Sequence, residues 1–176
     1  MLPVIELLMG GPVCFSEICL RHMESYSGEP DQRFHRDRPH WMEHPLRMDY
    51  IQSVVYLSDV DETTHCFSLS PESVDEPVLE EKEQLERNGV VHFHAPAGTV
   101  ALLNIAVLHA ASVRVTDKER KSVQTYYGHQ SRPYLSNCSV IPPRFFRHHP
   151  DPEVRAFYGK LNKTTETFLQ AFDPVE

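Results

Sequence analysis

Residues 99–108 read TVALLNIAVL and are followed directly by His109. The run is short, almost wholly apolar and rich in β-branched residues, which predicts a buried strand that ends at His109. Further strands are predicted at residues 13–23, 48–57, 64–69, 90–95 and 119–127. Short strands separated by turns such as Pro96-Ala97-Gly98 predict a mainly β barrel or sandwich with peripheral helices.

Helical patterns lie at the two ends of the chain and in one acidic insert. Residues 2–9 resemble the tail of a helix, and residues 71–89 a solvated insert with a short helix. Near the C-terminus Asp151 can cap a helix and Pro152 can occupy its first position. The apolar residues from Val154 to Phe172 at helical spacing predict a C-terminal helix packed on the sheet. With 176 residues and no linker, the chain is expected to form one domain over 1–176.

Composition limits the classes of partner. The formal net charge is −8 and the basic residues are scattered, so no nucleic-acid partner is expected. The four cysteines form no CxxC pair, which favours free thiols in a reducing compartment. The apolar run at residues 1–9 is too short to span a membrane and is a poor signal peptide. We therefore expect an intracellular, cytoplasmic protein that acts on a small molecule without a membrane partner, in an unknown oligomeric state.

His35-x-Asp37 is the first element of a candidate metal site. On an extended strand, residues i and i+2 point to the same face, so this imidazole and carboxylate can converge. His109, at the end of an apolar run, is the natural third ligand. Two histidines and one carboxylate that leave open positions form the ligand set of non-haem iron(II) oxygenases.

Arg120 lies 11 positions after His109, at the start of another predicted strand. A 2-oxo acid that chelates iron needs a cation for its far carboxylate, and arginine offers a bidentate grip. Ser122 follows two residues later on the same face and is a second candidate for that carboxylate. Arg114 could rival Arg120, but its position five residues after His109 predicts a turn.

At this point the chain resembles the phytanoyl-CoA dioxygenase family. The resemblance covers about residues 1–146, and it rests on FHRDRPHW at 34–41, FSLSPES at 67–73, AGT at 97–99 and LHAAS at 108–112, followed by Arg120. It implies a double-stranded β-helix (jelly-roll) fold and a dioxygenase that uses iron(II), 2-oxoglutarate and dioxygen. It also implies that His35, Asp37 and His109 bind the iron and that Arg120 anchors 2-oxoglutarate. Related iron halogenases replace the carboxylate with a small residue, so Asp37 favours hydroxylation.

The chain departs from the family pattern in three places. Thr64-His65-Cys66 and Ser70-Pro71-Glu72-Ser73 stand where the family often has Asn-Gly and Pro-Gly-Ser-His, so the choice of substrate does not carry over. Ala111 stands where the family often has a serine, two residues after the histidine that corresponds to His109. Ser112 or Ser122 is the candidate substitute. Only 34 residues precede His35, so the expectation includes a domain truncated at its N-terminus.

Other interpretations of the sequence stay open. The short leader allows a non-catalytic jelly-roll that binds a metal or a ligand without turnover. A cupin-like site at His92 and His94 is a third interpretation, although no further ligand has a matching context. Trp41, Tyr50 and Tyr56 are candidate pocket walls, and the ordinary interpretation of each is a core aromatic.

Overall fold

The computed structural model describes residues 1–172 and is mainly β. The strands are β1 (Val13–Met23), β2 (Asp31–Gln32), β3 (Tyr50–Tyr56), β4 (Cys66–Leu69), β5 (Val91–Phe93), β6 (Val100–Asn104), β7 (His109–Val113) and β8 (Arg120–His129). The helices are α1 (Leu2–Met9), α2 (Glu81–Asn88), α3 (Pro143–Phe146), α4 (Pro152–Tyr158) and α5 (Lys163–Phe172). Each predicted strand, and each predicted helix outside the C-terminal region, has a counterpart with ends shifted by a few residues.

The strands form two four-stranded sheets. One has the order β1-β8-β3-β6 and the other β2-β7-β4-β5. In the second sheet β4 pairs antiparallel with both β5 and β7, and Leu69 lies opposite His109. Non-consecutive neighbours in both sheets bring distant parts of the sequence together, as in jelly-roll folds.

The chain divides into two compact units. The first comprises Met1–Glu17 and the chain from Tyr126 onward. In this unit the ring of Phe15 packs against Phe157 and Tyr158 of α4, at centroid distances of 6.2 and 5.1 Å. The Asp151 side chain accepts a hydrogen bond from the Glu153 amide and so caps α4, as predicted.

The single C-terminal helix that the apolar spacing predicts is two helices. The α4 helix ends at Tyr158, and Asn162 begins the next one, since its Oδ1 accepts a hydrogen bond from the Thr165 amide at 2.8 Å. The Asn162 side chain also donates to the Ser139 carbonyl. An asparagine that satisfies a free helix amide stabilises a new start, which the hydrophobic spacing alone does not register.

The second unit, Ile18–Thr125, contains the candidate site. Its buried apolar cluster joins β3, β4 and β6 through Val54, Tyr56, Val60, Cys66, Phe67 and Leu103. Tyr56 is fully buried, and its hydroxyl donates to the Phe93 carbonyl and accepts from the Phe67 amide. Tyr50 is also fully buried, so both tyrosines are core residues.

The apolar run at residues 99–108 is not one strand ending at His109. The β6 strand stops at Asn104, whose side-chain oxygen accepts from the Ala106 amide at 3.0 Å and whose carbonyl accepts from Val107 at 3.1 Å. Asparagine stabilises such a turn by bonding to the backbone two residues on. His109 therefore begins β7, a strand that the sequence pattern did not separate from β6.

The turn predicted at Pro96-Ala97-Gly98 is present. Gly98 has φ +87°, a left-handed conformation that a residue with a side chain rarely adopts. Among the described residues, none of the helices combines the length and the hydropathy needed to cross a bilayer.

Candidate metal centre

His35, Asp37 and His109 converge in the structure. One ligand atom of each lies within 4.8 Å of the others. The His35 Nε2 is 3.3 Å from one Asp37 carboxylate oxygen, and the His109 Nε2 is 3.8 Å from the other. The three residues that the sequence singles out are therefore brought together.

The backbone explains this convergence. His35 and His109 exchange two amide-to-carbonyl hydrogen bonds of 2.9 and 3.0 Å, which form an isolated antiparallel bridge. The Asp37 amide donates to the Ile105 carbonyl at 3.1 Å. The H-x-D segment is thus bonded to the β6–β7 connection and to the start of β7. The sequence predicts an extended strand here, but within the segment only His35 has strand-like pairing.

The Nδ1 atoms of His35 and His109 fix the orientation of the two rings. His35 Nδ1 lies 3.1 Å from the Arg33 carbonyl, and His109 Nδ1 lies 2.8 Å from the Val107 carbonyl. Because a carbonyl can only accept, each Nδ1 acts as the donor in its contact, and each Nε2 faces the Asp37 carboxylate. This arrangement is typical of histidines that bind metals through Nε2.

The environment of His109 favours the neutral ring. Burial lowers its pKa from the ordinary value, against the opposing effects of the Val107 hydrogen bond and the Asp37 charge. The ring of Phe67 stacks on it with centroids 5.5 Å apart. The side chains of His109, Asp37 and His35 are 5, 25 and 54% exposed, so the centre is closed on the His109 side and open on the His35 side.

Arg120 and Ser122 begin β8 and point into the interior on the same face. They are 2 and 1% exposed. Within residues 1–172, the Arg120 Nε and Nη1 and the Ser122 Oγ have no hydrogen-bond partner. Burial lowers the pKa of the Arg120 guanidinium, which interacts with Tyr56 and Cys66. A buried cation with unpartnered nitrogens is costly, so this position suits an anionic ligand.

The alternative hydroxyl, Ser112, is already engaged. Its Oγ lies 2.6 Å from Ser68 Oγ and accepts from Gln32 Nε2 at 2.5 Å. Side chains alternate along β7, so Ser112 lies on the face opposite to that of His109.

The cupin-like alternative gains no support. His92 Nδ1 is 2.7 Å from Ser68 Oγ, and His94 Nε2 is 3.3 Å from Arg114 Nη1. In the described part of the chain, the sole cluster of three or more metal-ligating side chains is that of His35, Asp37 and His109. Arg114 lies after the end of β7, in the connection to β8, as predicted.

Sequence reasoning missed two anchors of the H-x-D segment. Arg36 Nη2 donates to Glu72 at 2.6 Å, and Arg38 Nη2 donates to Asp49 at 2.7 Å. The two carboxylates are 9 and 1% exposed. The alternation in FHRDR at residues 34–38 could have indicated these anchors. In an extended segment, the arginines next to the candidate ligands point to the opposite face and need partners of their own.

The ligand set fits iron(II). Two neutral imidazoles and one carboxylate on one side of a centre, with the remaining directions open, are the ligands of mononuclear non-haem iron oxygenases. A set with thiolates would favour zinc or iron–sulfur clusters instead, and the trio contains none.

Solved structures share the fold. AviO1 from Streptomyces viridochromogenes Tue57 is 19% identical, with a TM-score of 0.63 over 74% of this chain and 57% of its own. EctD from S. alaskensis, solved with bound Fe, is 21% identical (TM-score 0.59, 77% and 56%). HygX from Streptomyces hygroscopicus, solved with nickel and 2-oxoglutarate, is 18% identical (TM-score 0.60, 76% and 64%). The predicted mainly β, jelly-roll fold is confirmed.

This chain thus spans between about half and two thirds of the length of these three proteins. No curated protein matches it. The family model for phytanoyl-CoA dioxygenase (PhyH) matches residues 9–122, a range that includes all five predicted site residues. The match extends over more than half of the sequence and agrees with the fold and with the predicted cofactors, iron(II) and 2-oxoglutarate. The chain belongs to the phytanoyl-CoA dioxygenase family.

Proposed function

We propose that this protein is an iron(II)- and 2-oxoglutarate-dependent dioxygenase that hydroxylates a small-molecule or acyl substrate. The observation that carries the proposal is the convergence of His35, Asp37 and His109, whose ligand atoms lie within 4.8 Å of one another. Family membership supports it, as do the iron bound to EctD and the nickel and 2-oxoglutarate bound to HygX.

His35 and His109 would hold iron(II) through Nε2, and Asp37 through its carboxylate. The Nδ1 atoms of the two histidines face backbone carbonyls, and these contacts keep the rings oriented. Such orientation of the ligands increases the affinity for a metal. Bound iron(II) supplies the means to activate dioxygen, with 2-oxoglutarate as the reductant that leaves as succinate and carbon dioxide.

Arg120 would bind the far carboxylate of 2-oxoglutarate, and Ser122 would assist it. Both carry buried polar atoms that lack a partner among residues 1–172, whereas the rival hydroxyl of Ser112 is bonded to Ser68 and Gln32. A carboxylate between Arg120 and Ser122 would satisfy both residues.

The primary substrate would approach from the His35 side. That imidazole is 54% exposed, whereas His109 is covered by Phe67. A small-molecule substrate agrees with the hygromycin B bound to HygX. Asp37 favours hydroxylation, because a carboxylate ligand occupies the position that a halide needs in the related halogenases.

An anaerobic titration with iron(II) and 2-oxoglutarate tests the proposal. Chelation of the 2-oxo acid should produce a weak visible charge-transfer band, and admission of dioxygen should then release succinate even without the primary substrate. If the band forms but no succinate is released, the non-catalytic interpretation holds. If no band forms in the wild-type protein, the proposal is wrong.

A further inference from the structure

The carboxylate of Glu72 contacts both segments that carry the candidate ligands. Its Oε1 accepts from Arg36 Nη2 at 2.6 Å and from the Leu108 amide at 2.9 Å. Its Oε2 lies 2.9 Å from His40 Nε2. The side chain is 9% exposed, so these contacts form largely out of water and are stronger than surface ion pairs.

The positions of these partners in the sequence give the contacts their significance. Arg36 lies between His35 and Asp37, and Leu108 directly precedes His109. Glu72 Oε1 therefore connects two segments. One is the backbone directly before His109, and the other is Arg36, which lies between His35 and Asp37.

Within residues 1–172, few backbone hydrogen bonds hold the H-x-D segment. Its regular pairing is limited to the single bridge of His35 with His109, and Asp37 has one amide bond to Ile105. Ligand geometry on such an irregular segment depends on side chains that anchor it.

We propose that Glu72 is a positioning residue, which holds the His35-x-Asp37 segment and the start of β7 at the separation that one metal ion requires. This inference rests on the proposed function in one respect, namely that His35, Asp37 and His109 bind a metal. Glu72 lies outside the trio of candidate ligands, and both of its oxygens are engaged by Arg36, Leu108 and His40.

Asp49 provides a comparison within the same segment. It binds Arg38 through Nε and Nη2, at 3.2 and 2.7 Å, and so anchors the chain just after Asp37. Glu72 differs because it reaches both ligand-bearing segments.

The experiment is a titration of the metal-free full-length chain with cobalt(II), followed by visible absorption. His109→Ala identifies the part of the signal that belongs to the candidate centre, which is necessary in a chain with 11 histidines. Glu72→Gln preserves the shape and removes the charge, and Arg36→Gln removes the partner. We expect either change to weaken His109-dependent cobalt binding by about 10–100-fold, the usual effect of residues that orient ligands, and to alter the cobalt absorption band.

Two further variants separate positioning from general damage. Glu76→Gln removes an exposed carboxylate that binds Arg87 and should leave cobalt binding unchanged. Thr165→Val removes a buried hydrogen bond to the Ile141 amide in the other unit, so it should lower stability without altering the cobalt band.

Each outcome bears on the inference. If Glu72→Gln binds cobalt with the affinity and spectrum of the wild type, the positioning role is wrong, even if the variant melts earlier. If the wild-type chain has no His109-dependent cobalt binding, the inference and the proposed function fail together. If Glu72→Gln weakens binding but the wild type never converts 2-oxoglutarate, the inference stands and the proposed function fails.

Discussion

His35 and His109 are 74 positions apart in the sequence, yet they exchange backbone hydrogen bonds of 2.9 and 3.0 Å, and their ring centroids lie 4.5 Å apart. Directly opposed residues in an antiparallel pair have side chains on the same face. The pairing therefore places both imidazoles on the same face, next to the Asp37 carboxylate. The candidate ligands thus converge through direct pairing of the segments that carry them.

Removal of a ligand should abolish turnover. We expect His109→Ala and Asp37→Ala to lower iron-dependent succinate release from 2-oxoglutarate by more than ~100-fold, beyond the range typical of residues that only orient ligands. His92→Ala is the matched control, since that exposed histidine lies outside the converging trio. Succinate assays under air measure the effect. Full turnover by the Asp37 variant, or its loss in the His92 variant, would contradict the assignment.

We expect Arg120 to lower the stability of the ligand-free protein and to contribute to the binding of 2-oxoglutarate. Arg120→Met removes a buried cation that has two unpartnered nitrogens within the described chain, so the free energy of unfolding of the ligand-free protein should not fall. Affinity for 2-oxoglutarate in the presence of metal should fall by about 2–5 kcal/mol, the usual cost of removing one member of a buried charge pair. Urea unfolding and calorimetric titration measure the two quantities. The control is Lys121→Met, because the half-exposed Lys121 side chain pairs with Glu119. A large loss of stability in Arg120→Met, without one in Lys121→Met, would show that Arg120 has a structural role.

The hydroxyl of Tyr56 should contribute to stability. Tyr56→Phe leaves the Phe93 carbonyl and the Phe67 amide without the hydrogen bonds they have now, at 2.9 and 3.3 Å. Because Tyr56 is fully buried, water cannot replace the hydroxyl without a rearrangement, and we expect a loss of about 1–3 kcal/mol. Urea unfolding of the two proteins checks this, with Tyr26→Phe as an exposed control. A loss within error of zero would show that the two backbone groups find other partners.

Much of the fold could be predicted from local patterns because turn residues separate several of the strands, such as Gly11-Pro12 before β1 and Pro96-Ala97-Gly98 between β5 and β6. The exceptions occur where one polar side chain overrides the hydrophobic period. Asn104 bonds to the Ala106 amide and ends β6, and Asn162 bonds to the Thr165 amide and divides the C-terminal helix. Asn104 lies in an apolar run and Asn162 lies between apolar residues at helical spacing, and a periodicity argument counts only the apolar residues.

The convergence of His35, Asp37 and His109 could be predicted because metal chemistry restricts the residue types and the H-x-D spacing restricts two of the positions. Glu72 could not be predicted in the same way. Its partners Arg36 and Leu108 lie 36 positions before and after it, and one of them is a backbone amide that no sequence pattern identifies. Long-range contacts to backbone groups follow from the fold and are not visible in the sequence.

Glu72 should make the stability of the protein depend on pH in the acidic range. Burial alone would raise the pKa of its carboxyl, but the hydrogen bonds from His40 and the Leu108 amide and the charge of Arg36 lower it below the ordinary value of 4.5. The unfolded chain then binds the proton more readily than the folded one, so this contribution is fully present above the unfolded pKa and is lost as the pH falls through the folded pKa. The difference in free energy of unfolding between the wild type and Glu72→Gln should therefore be constant from pH ~7 to ~6 and shrink below about pH 4.5. Urea unfolding at several pH values measures it, and other carboxyls cancel because both proteins carry them. A difference that does not change down to pH ~3 would mean that the Glu72 pKa is the same in the folded and unfolded chains.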